Sequence, residues 1–575
     1  MVIEGLGRED GHIPMHNSIP TNKYVVDEHP LGQPRQLRVI ATGSGASALN
    51  IARSIDVHME HVDLVLYEKN HDLGGTWLEN TYPGCACDIP SHCYQYSWAP
   101  NPKWDKFYSP APEILKYFQD TAEEHGLRKY IKFKHQIMGA TWNEEKGRWD
   151  MRIRNLSSGL EFDDWCDFFI NSSGYLNNWK YPDIPGLHTF KGELMHSAAW
   201  NSDVKLKGKK VAVLGCGSSG IQVVPNIQPE VEHLTTFIRQ PTWITAGFAQ
   251  KYSGPGGTNF DFTEERKTEF VDHPEMYHAY RKAIESELNG RFKLILKDSP
   301  EQAEAVRFST KDMKSRLGAK GAAIAEKIIP DFAVACRRPT PGNGYLESLT
   351  KDNVRVVQDE IAKIIPAGIV LVTGEIIKVD IFICATGFDL SYCPRFPIIG
   401  QNATNLADQW KTRATGYLSV TPANMPNYFM FMGPNSPVGH GSAMPIIEHT
   451  SKYILKFLYK AQTENVKSFV PKIRAIKDFT AHSDEFLKRT AWSTHCRSWF
   501  KNGTVDGPIT ALHPGSRIHW FQMMTNPRWE DWEWTSRNSN IFAYLGNGFS
   551  TREAAGKDLT WYFDKPDEGY EGLFY

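Results

Sequence analysis

The chain lacks a charge excess of either sign and any long apolar run. Its 575 residues carry 64 Lys and Arg against 66 Asp and Glu, a formal net charge of −2. This balance gives no global field toward nucleic acid or an anionic membrane, so neither is an expected partner. No apolar stretch approaches the roughly 20 residues of a membrane-spanning helix. The longest, such as 428–432 and 381–384, have the length of strands.

Two further absences bear on location. The N-terminus has no basic segment followed by an apolar one, so a secretory signal is not expected. The nine cysteines form an odd and irregularly spaced set, which is typical of an intracellular protein with reduced thiols. We therefore expect free thiols, a cytoplasmic location and no metal site, and the oligomeric state stays open.

The chain does contain material for several domains. A length of 575 residues predicts two to four domains around a large core. Aromatic residues make up 12% of the chain and include 17 Trp. Such residues suit apolar pockets for flat rings, although a large core uses them equally.

A glycine-rich loop near the N-terminus predicts a dinucleotide site. A β-type run leads into Gly43-x-Gly45-x-x-Ala48, a helical pattern follows, and a second strand at 62–67 ends at Glu68. In such a β-α-β unit the first Gly allows a tight turn and the second lets a pyrophosphate approach the backbone. The third, small residue lets the helix pack on the strand, and the helix N-terminus offers N–H donors. An acid about 20 residues on can bind ribose hydroxyls.

A second loop, Gly215-x-Gly217-x-x-Gly220, has all three glycines and predicts a second nucleotide site. Its second strand, 234–238, ends in Arg239 and Gln240 rather than in an acid. A guanidinium at this position suits a 2′-phosphate, so the second cofactor is predicted to be NADP(H). The same site is predicted to include Ser218, Ser219, Ile221 and Gln222.

The segment between the two loops carries a family resemblance. Phe190-x-Gly192-x-x-x-His196-x-x-x-Trp200 resembles the fingerprint of type I Baeyer–Villiger monooxygenases. The stretch from Gly74-Gly-Thr-Trp to Asp88 resembles a second motif of that family, and Arg337-Arg338 resembles the stretch with its active-site Arg. The Trp-rich tail is similar to fungal members that act on secondary metabolites.

The resemblance implies an α/β fold with two Rossmann-like domains, in which an NADP domain is inserted in an FAD domain and carries a helical insertion. FAD is then assigned to the first loop. After an N-terminal arm (1–35), the FAD-binding domain is expected to comprise 36–175 and, with a C-terminal extension, 385–575. The NADP-binding domain is expected to comprise 176–240 and 331–384, with the helical insertion at 241–330 between its two segments.

The resemblance also implies the chemistry. NADPH reduces FAD, O₂ gives a C4a-peroxyflavin, and this attacks a ketone to form an ester or lactone. Arg338 is predicted to stabilise the anions, because Arg keeps its charge, and Asp88 to orient it. Arg337 could instead face the NADP phosphate, and which of the two arginines faces the flavin stays open. The other predicted cofactor contacts are Thr76, Trp77, Leu78, Glu79, Ala86, Cys87, Ile89 and Tyr94.

Other hypotheses stay open on the same residues. A related scaffold could oxidise sulfur or nitrogen, or hydroxylate, and Cys85 with Cys87 could form a redox pair. His196 is predicted to position the domains rather than act as a base, and Trp499 to edge the substrate pocket or pack in the core. The aromatic content and the tail favour a bulky ketone from secondary metabolism as substrate.

Overall fold

A fully parallel sheet combines strands from the N-terminal third of the chain with one strand from its C-terminal third. The computed structural model describes residues 24–564, so most of the predicted arm and residues 565–575 lie outside the described residues. The strands lie in the order Tyr428–Met430, Phe168–Asn171, Leu37–Thr42, Val62–Tyr67 and Ile131–Lys132. Leu37, Val39 and Ile40 are fully buried, as expected for parallel strands covered on both faces. Helix Ala46–His58 crosses over between the first two strands of the chain and packs on helix Ala443–Thr463.

A second parallel sheet is formed by the chain between these segments. Its order is Val354–Val357, His233–Phe237, Lys210–Leu214, Ile381–Cys384 and Glu193–His196. Helix Ser218–Ile227 follows Lys210–Leu214 and contains the remainder of the second glycine loop. Both predicted β-α-β units are therefore present, and the second lies within the sequence span of the first sheet.

Antiparallel strands form smaller sheets beside these two. His135–Asn143, Arg148–Asn155 and Glu161–Cys166 pair antiparallel, with Ile398–Ile399 at one edge. The alternating sequence pattern over 139–170 predicts antiparallel strands, and this prediction is confirmed up to Cys166. Phe168–Asn171 instead joins the first parallel sheet, because Phe168, Phe169 and Ile170 are buried in succession and suit a strand covered on both faces. Two more sheets are antiparallel: one has Ile361–Ile365, Gly368–Leu371 and Ile376–Lys378, and the other has Val466–Pro471 and Trp532–Ser536. The last small sheet is a parallel pair, Ile244–Thr245 with Thr340–Pro341.

Helices fill the predicted insertion and the C-terminal region. The insertion has Glu264–Asp272, Pro274–Gly290, Pro300–Leu317 and Ala322–Ile328; the other longer helices are Ala111–Glu124, Ala443–Thr463, Ile473–Leu487 and Arg517–Met523. The sequence pattern predicts helices at 112–126 and 445–463, and helices Ala111–Glu124 and Ala443–Thr463 confirm both. Within residues 24–564 no helix is both long and apolar enough to cross a membrane.

The expectation of free thiols throughout is wrong at two positions. Cys336 and Cys496 form a disulfide, with Cα atoms 6.4 Å apart and a separation of 160 positions in sequence. The other seven cysteines are free. Sequence spacing could not reveal this pair, because only the folded chain brings the segment before Arg338 against the C-terminal region. The predicted cytoplasmic location stays a prediction.

Candidate active site

A cavity of about 390 Å³ lies at the carboxyl ends of the first sheet. The first glycine loop lines it, together with residues that follow the strands ending at Thr42, Tyr67 and Asn171. Gly43 has φ +89°, and a Cβ on Gly75 would lie 3.0 Å from the Gly45 Cα atom, so the two glycine segments pack backbone to backbone. Ala48 is fully buried at the position where the helix packs on the strand.

Glu68 lies in this cavity wall and is held in place by the loop. Its Oε2 accepts hydrogen bonds from the Ser44 backbone N–H (2.8 Å) and hydroxyl (2.9 Å). Its Oε1 accepts one from the Asn70 N–H at 2.8 Å, which leaves room for a further hydroxyl donor. The buried Thr42 Oγ1 in the same wall has no partner among the described residues. The polar groups and the glycine cradle fit a dinucleotide.

The segment after Gly74 lines the same cavity only at some positions. Thr76, Trp77, Glu79 and Tyr94 are lining residues, and the Trp77 indole N–H donates to the Tyr94 hydroxyl at 3.2 Å. The predicted contacts Leu78, Ala86, Cys87 and Ile89 do not line it. Ile89 lines a second, larger cavity instead.

Cys85 and Cys87 remain unpaired thiols. Both are buried, and the structure leaves them free. Burial raises the pKa of Cys85 to about 11 and that of Cys87 further. Thiols that stay protonated are poor nucleophiles, so the geometry gives no support to a redox pair here.

The second glycine loop is built for close packing on one side and access on the other. A Cβ on Gly215 would lie 2.4 Å from the Ala385 carbonyl oxygen, and one on Gly220 would lie 2.2 Å from the Gly215 carbonyl oxygen. Gly217 has open space, and with Ser218 it is exposed at the start of the helix. Backbone N–H groups there can meet a phosphate.

The other residues predicted for this nucleotide site differ in their surroundings. Ser219 is half-buried on the loop, while Ile221 is buried in the helix. Gln222 binds the segment after Gly74, since its amide N–H donates to the Ala86 carbonyl (2.9 Å) and its Oε1 accepts from Tyr82 (2.8 Å). It thus connects the two nucleotide regions.

Three polar side chains lie near the end of the second strand of this unit. Arg239 and Gln240 are exposed just after strand His233–Phe237. Arg337 comes to the same place, because its Nη1 donates to the Pro241 carbonyl at 3.0 Å. Two guanidinium groups therefore lie near the end of this strand, an arrangement that suits a phosphate.

Arg338 points away from its neighbour and pairs with Asp88. Its Nη2 lies 2.7 and 2.6 Å from the two carboxylate oxygens. The Asp88 charge is the main cause that raises the pKa of Arg338 above its usual value, against the effect of burial. Its charge is therefore permanent. Burial raises the pKa of Tyr175, a residue of the first cavity wall, and the Arg338 charge partly offsets this rise.

The second cavity, of about 700 Å³, opens beside this ion pair. Arg338 and Ile89 line it on one side, and the helical insertion supplies most of the rest. Its wall is mainly apolar and contains Phe248, Leu288, Leu294, Ile295, Phe308 and Val334, with Gln250, Arg291 and His440 among the polar members. Sequence analysis missed these residues. The helical pattern located the insertion, but no motif shows which face turns inward.

His196 and Trp499 lie where a positioning role fits better than catalysis. His196 is fully buried, stacks on Trp179 with ring centroids 4.7 Å apart, and accepts from the Ala198 N–H at 3.1 Å. Burial lowers its pKa to about 4, so it is neutral. Trp499 stacks on Tyr175 at 5.9 Å, at the first cavity. Trp200 is half-buried.

The comparisons with known proteins decide the family. A family model described as flavin-binding monooxygenase-like matches residues 36–293. The chain is 40% identical to "FAD-binding monooxygenase tazF" of Aspergillus terreus, over 90% of this chain and 92% of that one. The chain belongs to the flavin-binding monooxygenases.

Two further similar proteins are a Baeyer–Villiger monooxygenase and a cyclohexanone monooxygenase. A "Baeyer-Villiger monooxygenase" of Streptomyces coelicolor is 32% identical, over 84% of this chain and 89% of that one. The crystal structure of cyclohexanone monooxygenase from Rhodococcus sp. Phi1 bound to NADP⁺ is 26% identical, has a TM-score of 0.75, and covers 88% of this chain and 100% of that one. The predicted enzyme class, α/β fold and family resemblance are confirmed.

Proposed function

We propose that this flavin-binding monooxygenase is a Baeyer–Villiger enzyme that uses FAD, NADPH and O₂. One oxygen atom is inserted beside a ketone carbonyl to give an ester or lactone, and the other leaves as water. The observation that carries this proposal is the Asp88–Arg338 ion pair beside an apolar cavity of about 700 Å³. The named relatives support the same reaction class.

The two glycine loops would hold the two cofactors. FAD fits the first loop, where Glu68 can bind ribose hydroxyls, and the second loop with Arg239 and Arg337 fits NADPH. Bound together, the pair would supply hydride transfer and oxygen activation. The domain boundaries at 176, 241, 331 and 385 belong to this proposal.

Arg338 would provide the fixed positive charge of the reaction. When oxygen adds to a ketone, negative charge develops on the carbonyl oxygen, and a guanidinium within reach stabilises it. Asp88 binds one end of the guanidinium, which keeps it in place and leaves the other N–H groups for substrate. Asp88 is accordingly a positioning residue.

The cavity favours a bulky, largely apolar ketone. A volume of about 700 Å³ lies in the range of pockets that enclose drug-sized ligands. Phe248 and Phe308 can pack against flat or fused rings, and the wall is mainly apolar. A polycyclic ketone from secondary metabolism meets these requirements.

Purified holoenzyme with NADPH, O₂ and a panel of cyclic ketones tests the proposal, with products identified by mass spectrometry. Arg338→Ala should lower ester formation by about 10²–10³-fold, the effect of removing one preorganised charge donor. Arg474→Ala, at an exposed arginine of helix Ile473–Leu487, is the control. Ester formation at the normal rate in Arg338→Ala would contradict the assigned role, and thioether oxidation without any ester would favour heteroatom chemistry instead.

A further inference from the structure

One arginine in the wall of the first cavity has a single protein partner. Lys69 and Arg395 are the only lysine and arginine among the described residues that line this cavity. Lys69 pairs with Glu79 at 2.6 Å. Arg395 is exposed and forms no ion pair within residues 24–564. Its hydrogen bond runs from Nη2 to the Asn177 Oδ1 at 2.5 Å, which leaves the other N–H groups of the guanidinium free.

A series of contacts connects Arg395 to the first glycine loop. A Cβ on Gly43 would lie 3.5 Å from the Ser172 carbonyl oxygen, so the loop packs directly on this backbone. In the same segment the amide N–H of Asn177 donates to the Ser173 carbonyl. The oxygen of that amide accepts from Arg395. The guanidinium therefore lies one side chain away from the backbone on which the loop packs.

The charge of Arg395 is not paired in the cavity wall. Glu79 and Asp389 line the same cavity and act on the guanidinium, but each has another partner. Glu79 pairs with Lys69, and Asp389 Oδ1 accepts from the Ser391 N–H at 2.9 Å. The cavity walls partly desolvate the guanidinium, which lowers the pKa of Arg395, whereas the two carboxylates oppose this change. An arginine stays charged at pH 7 under such conditions.

The backbone on both sides of Arg395 is held in place. Before it, Tyr392 stacks on Tyr175 with ring centroids 6.2 Å apart. After it, the Pro397 carbonyl accepts from the Ala140 N–H at 3.0 Å. A side chain on a fixed backbone loses less conformational entropy when it binds a ligand, which favours affinity.

We propose that Arg395 is an FAD-binding residue whose free N–H groups donate to the diphosphate of the cofactor. The first glycine loop and the N-terminus of helix Ala46–His58 offer backbone N–H groups to a diphosphate, but no full positive charge. Arg395 supplies that charge, and a guanidinium can bind two phosphate oxygens at once. This inference rests on the FAD site of the proposed function and not on the reaction with a ketone.

The FAD affinity of the full-length protein tests this inference, without NADPH or ketone. Equilibrium dialysis of the holoenzyme, with free FAD measured by fluorescence, gives the FAD dissociation constants of wild type, Arg395→Ala and Arg395→Lys. Arg474→Ala is again the control. Competition by ADP and by adenosine separates binding of the diphosphate from binding of the adenine ring. The ³¹P NMR spectrum of the FAD-saturated enzyme reports on the surroundings of the bound diphosphate.

We expect Arg395→Ala to raise the dissociation constant of FAD about 10- to 100-fold, the loss of a charge-assisted hydrogen bond. The constant of ADP should rise by a similar factor and that of adenosine should not change. Arg395→Lys should retain most of the affinity, because it keeps the charge. The ³¹P resonances of bound FAD should shift in Arg395→Ala and stay in place in Arg474→Ala. An unchanged FAD dissociation constant, or an equal loss for ADP and adenosine, would overturn the inference.

Failure of this inference differs from failure of the proposed reaction. If wild type forms no ester but Arg395→Ala loses affinity for FAD and ADP, the ketone reaction is wrong and the role of Arg395 stands. If wild type forms ester and Arg395→Ala binds FAD as tightly as wild type does, only the role of Arg395 is wrong.

Discussion

At the scale of single residues, two neighbouring arginines bind different partners. Arg337 donates to the Pro241 carbonyl beside the second glycine loop, whereas Arg338 pairs with Asp88. Arg337 lies in a bend that follows a turn, and the two side chains leave this bend toward different partners. One short stretch can therefore serve a nucleotide site and a reaction site together. Because the two side chains bind different partners, the role of each can be tested by mutating it alone.

Arg239→Ala and Arg337→Ala should each weaken the binding of NADPH more than that of NADH. A charge-assisted hydrogen bond contributes about 1.5–3 kcal/mol, so we expect KM for NADPH to rise about 10- to 100-fold. KM for NADH should change little, because NADH has no 2′-phosphate. Steady-state NADPH and NADH oxidation measures both, with Arg474→Ala as control. An equal loss for the two nucleotides would place neither arginine at the phosphate.

Some site residues were accessible from sequence and others were not. Arg338 and Asp88 are 250 residues apart, yet each lies in a motif of its own, so their pairing could be anticipated from the family resemblance. His440 and Phe308 line the larger cavity without any motif. Their placement depends on how the insertion folds over the sheets, which local patterns do not specify.

At the scale of elements, the two glycine loops differ at their third small position. The first loop has the buried Ala48, so its helix and strand leave space for a methyl group. In the second, a Cβ on Gly220 would lie 2.2 Å from the Gly215 carbonyl oxygen. Helix Ser218–Ile227 therefore lies closer to its loop than helix Ala46–His58 does to the first one.

Gly220→Ala should consequently destabilise the protein while Gly217→Ala should not. The first change overpacks the loop, which typically lowers the free energy of unfolding by about 1–3 kcal/mol. The second meets open space, with no atom within 4 Å of the added Cβ. Thermal unfolding followed by circular dichroism measures both. Equal melting temperatures would mean that the helix can shift without loss.

Element types were predictable where the apolar pattern was long, and less so at the boundaries between sheets. The helix at Ala443–Thr463, for example, follows directly from the apolar periodicity of residues 445–463. Phe168–Asn171 did not, because a short apolar run gives no direction of pairing. Its partner, Tyr428–Met430, is remote in sequence.

At the scale of the whole molecule, the disulfide connects two regions of the site that are far apart in the chain. Cys336 lies two residues before Arg338, and Cys496 lies three residues before Trp499, which stacks on Tyr175. The free thiols expected from sequence would leave these segments held only by packing and by hydrogen bonds such as that of Lys501 Nζ to the Thr494 carbonyl at 2.8 Å.

Cys496→Ser should lower the melting temperature relative to wild type, because a cross-link that closes a long loop stabilises a fold by about 2–5 kcal/mol. Cys393→Ser, at a free and partly buried cysteine, is the control. Treatment with dithiothreitol should lower the wild-type value toward that of Cys496→Ser and leave the variant unchanged. Thiol counting under denaturing conditions gives nine free thiols in place of seven if the bond is absent, and that result would contradict the pairing.

The interleaving of the two sheets also sets an order of assembly during synthesis. The second sheet has all its strands once Cys384 has left the ribosome, but the first lacks Tyr428–Met430 until later. Until then the edge of Phe168–Asn171 has no neighbour on that side and offers open backbone groups for pairing with other chains. The nascent chain thus completes its inner sheet first and passes through a stage in which the open edge of the outer sheet is prone to aggregation.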